Sequence, residues 1–90
     1  MAYNTVTVGA TATLIVAANA NRHSVIITNT STSVNLYIGP DSSVTTSNGI
    51  LVSTSGGNLT EDNSGTRIYT GPIYGIAGSS IDVRYWERTF

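Results

Sequence analysis

The residues of this chain that could take part in a reaction are few and widely spaced. His23, Asp41 and the many serines supply the side-chain types of a hydrolytic triad, in which a base activates a hydroxyl and a third group orients the base. No nucleophile elbow accompanies them. The stretch Gly75-Ile76-Ala77-Gly78-Ser79-Ser80 has the glycines of a phosphate-binding loop but not its lysine, and reads as a turn between strands. His23 is therefore expected at a strand end or an interface. Asp41, Glu61 and Asp62 are the candidate metal ligands, but the Asp-x-Asp-x-Asp-Gly spacing of a calcium loop is missing, and residues 61–65 read as a solvated polar loop. The absence of cysteine excludes a thiolate site and a disulfide framework. No catalytic, cofactor-binding or metal residue is assigned, no cofactor is expected, and the chain reads as non-enzymatic.

The aromatic residues are the remaining chemistry. Five tyrosines and Trp86 could stack on sugar rings, with polar neighbours binding hydroxyls, or could anchor a protein interface, where Trp, Tyr and Arg are favoured. Tyr37, Tyr69 and Tyr74 fall within apolar runs and are expected at the edge of the core. Tyr85-Trp86-Glu87-Arg88-Thr89-Phe90 differs, because three large rings and an arginine crowd one end of the chain. With Tyr3, the sizeable side chain near the other end, this gives Tyr3, Tyr85, Trp86, Arg88 and Phe90 as the expected protein-interface residues. Arg84 has Asp82 and Glu87 as nearby partners for an exposed pair worth about 0–1 kcal/mol.

Composition narrows the partners. Charged residues make up 10% of the chain, where about 25% is usual. Lysine is absent, the arginines are Arg22, Arg67, Arg84 and Arg88, and the net charge is −1, so the clustered cations that bind nucleic acid are missing. The apolar run Leu14 to Ala18 falls far short of the roughly 20 residues of a spanning helix, and no basic stretch follows Met1, so neither a membrane nor a secretion signal is expected. A surface of Ser, Thr and Asn suits a protein packed in an assembly, or a carbohydrate binder. Ninety residues make one domain that buries about 60–65% of its surface, so a partner subunit would complete the burial, and a homo-oligomer is expected.

Strand patterns position these residues. Asn4–Val8 and Thr11–Ala17 alternate as strands, the second with Leu14 and Val16 on one face, and Ala17–Asn21 reads as a loop. Ser24–Thr28 and Val34–Ile38 read as a hairpin about Asn29–Ser33, with Val34, Leu36 and Ile38 on one face. Val25-Ile26-Ile27 is apolar at consecutive positions, as in a strand covered on both sides. Val44–Thr46 and Ile50–Ser53 read as a second hairpin about Asn48-Gly49. Asn58–Thr60 is an expected edge strand. Thr66–Thr70, Ile73–Ala77 and Ser80–Trp86 follow, the last with Ile81, Val83 and Tyr85 on one face. Eight or nine short strands without a helix predict an all-β, antiparallel, jelly-roll-like β-sandwich. It forms a single domain over residues 1–90, with an N-terminal arm (1–4) and a C-terminal tail (86–90) that the β fold does not need.

Four of these segments carry a resemblance. Arg22–Asn29, Val34–Gly39, Val44–Leu51 and Ile73–Glu87 match Arg-x-x-Val-x-Ile-x-Asn, Val/Leu-Tyr-Ile-Gly, Val-Thr-x-x-x-Gly-x-Leu and Ile-Tyr-x-Ile-Ala…Val-Arg-Tyr-x-Glu strand patterns, and the chain resembles small β-sandwich virion proteins of tailed bacteriophages, including head decoration (cement) proteins. The resemblance implies a structural protein on the capsid exterior, made in the host bacterial cytoplasm, that binds major capsid protein subunits and stabilises the shell as a homo-oligomer, trimer before dimer. The alternative it leaves is a carbohydrate-binding, host-attachment module of a fibre or tail.

Overall fold

Strict alternation of β-branched and polar residues gives strands with one dry face, and such strands must stack in pairs of sheets to bury it. The computed structural model of the chain describes residues 2–62 and 68–90. The described residues form eight strands: β1 (Ala2–Val8), β2 (Thr13–Val16), β3 (Arg22–Asn29), β4 (Leu36–Gly39), β5 (Ile50–Val52), β6 (Asn58–Asp62), β7 (Ile73–Ala77) and β8 (Ile81–Thr89). They form two four-stranded antiparallel sheets, β1-β8-β3-β6 (sheet A) and β2-β7-β4-β5 (sheet B), with no helix among the described residues, so the expected all-β sandwich is what the chain adopts. The pairs β1·β8, β2·β7, β3·β6 and β4·β5 are nested, the order obtained when one long hairpin is rolled across two layers.

Between the sheets lies a wholly aliphatic core built on Val8, Ile15, Val25, Ile27, Leu36, Ile38, Val52, Ile73, Ile81 and Val83, with Tyr85 packed at its margin. Gly75 on β7 leaves room for core side chains from the two flanking strands of its own sheet: a Cβ there would stand 2.6 Å from Ile15 Cδ1 and 3.0 Å from Leu36 Cδ1. In β2 a bulge between Leu14 and Val16 turns Ile15 and Val16 both inward and leaves Leu14 outside, where plain alternation had placed Leu14 with Val16.

Several expected pairings are corrected. Ser24–Thr28 and Val34–Ile38 are not a hairpin: β3 belongs to sheet A and β4 to sheet B. Asn29 makes the crossing possible. Fully buried, it donates through Nδ2 to the carbonyls of Val34 (2.9 Å) and Val52 (3.2 Å) and accepts from the Ser31 N–H (2.9 Å), supplying backbone partners where the chain leaves the ladder. Val44–Thr46 is loop, because Thr45 bonds locally to Asn48 and Gly49; β5 pairs instead with β4. Ile68–Thr70 is irregular and Glu61-Asp62 ends a strand, while the rest of those two expectations, residues 63–67, lies outside the described residues.

The arm and the tail are strands as well. Ala2, Tyr3 and Asn4 pair with Glu87, Trp86 and Tyr85, and β8 runs to Thr89 between β1 and β3. Loss of residues 86–90 would therefore remove part of the middle of sheet A. It would also remove Glu87, whose carboxylate receives the buried Arg22 Nε at 2.6 Å. Arg22 is fully buried and further donates to the carbonyls of Tyr69 (2.8 Å), Gly71 (3.1 Å) and Ala17 (2.9 Å), and Asn19 Nδ2 donates to the same carboxylate. One ion pair thus ties β3, β8 and two loops. Glu87 serves Arg22, and Arg84 stands without it on the opposite face of β8.

Candidate functional site

Because β-strand side chains alternate, each sheet has an outer face whose composition is read from the register. On sheet A, Tyr3, Trp86, Ile26 and Thr60 lie in one cross-strand row, and Thr5, Arg84, Thr28 and Asn58 in the next. Arg88, Ser24 and Asp62 make a third. Tyr3 is 80% exposed and Trp86 is about half exposed, while Ile26 is half-buried beside them. Tyr3, Asn4, Thr5, Ile26, Thr28, Arg84, Tyr85 and Trp86 border an open groove of about 660 Å³. The consecutive apolar residues Val25-Ile26-Ile27 thus have two in the core and one in this groove, not two covered faces.

Of the expected interface residues, Tyr3 and Trp86 are direct cross-strand neighbours and Arg88 follows Trp86 on the same face. Phe90, 77% exposed, meets His23 edge-to-face at 4.9 Å at the end of the sheet. Tyr85 shares its face with Val83 and packs, partly buried, against the core, and it also borders the groove. His23 stands at the start of β3, its Nδ1 buried without a hydrogen-bond partner. Asp41 is engaged in its own turn, accepting from the Ser43 hydroxyl and backbone N–H, which hold its carboxyl below its ordinary pKa. Among the described residues no three His, Asp or Glu side chains converge as a metal site.

Sheet B carries the surface that the sequence reading did not single out. Its outward residues are Leu14 on β2, Tyr74 and Ile76 on β7, Tyr37 and Gly39 on β4, and Leu51 on β5, aligned by the pairs Leu14↔Tyr74, Tyr37↔Ile76 and Tyr37↔Leu51. None of these side chains is charged, and the tyrosine hydroxyls are their only polar atoms. Leu51 is 55% exposed and Leu14 43%. Exposed apolar patches larger than a few hundred Å² on folded monomers mark contact surfaces, which makes this face a candidate for one. The signal was present in Leu36-Tyr37-Ile38 and in Ile73-Tyr74-Gly75-Ile76, runs that are apolar in both phases of the alternation.

Comparison with protein-family models, with curated proteins and with solved structures finds no match for this chain.

Proposed function

We propose that the protein is a non-enzymatic structural subunit that decorates and stabilises a bacteriophage capsid, docking onto major capsid protein subunits through the outer face of sheet B. The observation that carries this reading is the face itself: every strand of the sheet contributes an apolar outward side chain, and none of them is charged. The partner class comes from the resemblance of the strand motifs to phage decoration proteins. The nested strand pairing supports reading the sandwich as a jelly roll, an architecture shared by capsid and lectin domains. Stabilisation follows from mass action, since a ligand of the assembled shell alone raises the cost of dismantling it.

Leu51→Glu places a charge on this face without touching the core. The variant keeps its circular dichroism spectrum and loses co-sedimentation with purified phage capsids. Saturation of capsids by L51E at the wild-type concentration would refute the assignment. The groove on sheet A favours a second reading, a carbohydrate-binding attachment module in which Tyr3 and Trp86 stack on a sugar ring and Thr28 and Arg84 bind hydroxyls. Saturable glycan-array binding that Trp86→Ala abolishes would replace the first reading with this one.

A further inference from the structure

Among the described residues four strands carry open edges: β1 and β6 in sheet A, β2 and β5 in sheet B. Unpaired edge groups template pairing with another chain, and folded proteins blunt them with short strands, bulges, charges or proline. Three edges here have such a device. β2 is four residues long with a bulge, β5 is three residues long, and β6 ends in Glu61-Asp62. β1 has none. Its seven residues, Ala-Tyr-Asn-Thr-Val-Thr-Val, hold no charge and no proline, and their register with β8 is unbroken from Ala2↔Glu87 to Val8↔Ile81.

The direction of the backbone groups of β1 follows from the ladder. In antiparallel pairing successive residues bond to alternate sides. The Asp82 carbonyl accepts the Thr30 N–H from the β3 side, so Asp82, Arg84 and Trp86 bond toward β3 while Val83 and Tyr85 bond toward Val6 and Asn4 of β1. Tyr3, Thr5 and Thr7 then turn their N–H and C=O groups to the open edge. Thr5 agrees: its N–H is taken by the side-chain Oδ1 of Asn4 at 2.8 Å.

We propose that β1 is a dimerisation edge, with β1 of a second copy adding antiparallel about a two-fold axis at Thr5 and joining two four-stranded sheets into one of eight. Thr5 then faces Thr5, and Tyr3 faces Thr7, so all the outward-turned groups at these positions pair. The Asn4 side chain releases the Thr5 N–H to the second copy's carbonyl. A second copy fits because the strand carries no charge to repel itself and has the period its own edge requires. On the outer face Tyr3 has Trp86 on one side only, and the second copy's Thr7 closes the other. On the inner face Asn4 of each copy lies over the half-buried Val6 of the other.

Sedimentation equilibrium of the full chain is expected to give twice the 9.4 kDa of one copy. Thr5→Pro removes an N–H that β8 does not use, at an edge position where proline is tolerated, and is expected to halve the mass with an unchanged β spectrum. Thr5→Cys, in a chain without other cysteines, is expected to cross-link under mild oxidation, since facing residues stand about 5.5 Å apart. Ser47→Cys, in an exposed loop, is the control that does not. A wild-type chain that stays at 9.4 kDa at millimolar concentration, a T5P variant that keeps the double mass, or T5C cross-linking no faster than S47C would overturn the proposal. Leu51→Glu leaves this edge intact, so failure of the dimer and failure of capsid docking appear in different variants.

Discussion

Replacing Glu87 by Gln preserves the shape of the side chain and removes its charge, leaving the guanidinium of Arg22 fully buried with three backbone carbonyls and no counter-ion. Breaking a buried ion pair from one side costs about 3–5 kcal/mol. A chain of 90 residues has a total stability of about 5–13 kcal/mol, so the loss is about a quarter or more of what holds the fold. At about 4–8 °C per kcal/mol for a domain of this size, the midpoint of thermal unfolding falls by roughly 20 °C. Arg22→Met is at least as damaging, because it strands the carboxylate and also leaves the carbonyls of Ala17, Tyr69 and Gly71 without their donor. The double variant R22M/E87L removes both charges, and its cost is expected to be smaller than the sum of the single costs by about 2 kcal/mol or more. Urea unfolding followed by far-ultraviolet circular dichroism measures all three variants. A cost for E87Q below about 1 kcal/mol, or additive costs in the cycle, would show that the pair is not the clamp its geometry describes.

Asn29→Ala removes the donor to the Val34 and Val52 carbonyls and the acceptor of the Ser31 N–H, and is expected to cost about 1–3 kcal/mol in the same assay, because buried groups are left unpaired. Asp41 has its pKa lowered by the Ser43 hydroxyl and then the Ser43 N–H, so its contribution to stability is present above its unfolded pKa and is lost as pH falls through the lower folded value. Asp41→Asn should therefore flatten the stability profile on that acid limb and leave it unchanged in shape at neutral pH, as thermal melts across acid and neutral buffers would show.

The class of fold is legible in the sequence because alternation is local. Leu36 and Ile38 point inward, and Ile81, Val83 and Tyr85 share a face, as the pattern requires. Which strand pairs with which is not local. Adjacent strands joined by Asn29–Ser33 look like a hairpin, and only the side-chain hydrogen bonds of Asn29 across the two sheets reveal a crossing. Asn48-Gly49 misleads for a related reason, because Asn48 spends its side chain on Thr45 inside a longer loop. The candidate site was legible in part. Tyr3 and Trp86 were expected at an interface and share the outer face of sheet A, whereas the phase of Tyr85 with Val83 turns its ring toward the core. Arg22 and Glu87 stand 65 positions apart, and nothing in either neighbourhood announces their pairing.

The nesting of the strands also dictates how the polypeptide can assemble. β4 and β5 are separated only by residues 40–49, whereas β1 and β8 lie at opposite ends of the chain, and bringing such distant segments together first is entropically the least favourable start. Once the innermost hairpin exists, each enclosing pair has only a short closure left to make, so closure entropy favours an order that runs outward like a zip. The strand with the bare edge has only β8 as its partner in the sheet, so its pairing waits on the last strand of the chain.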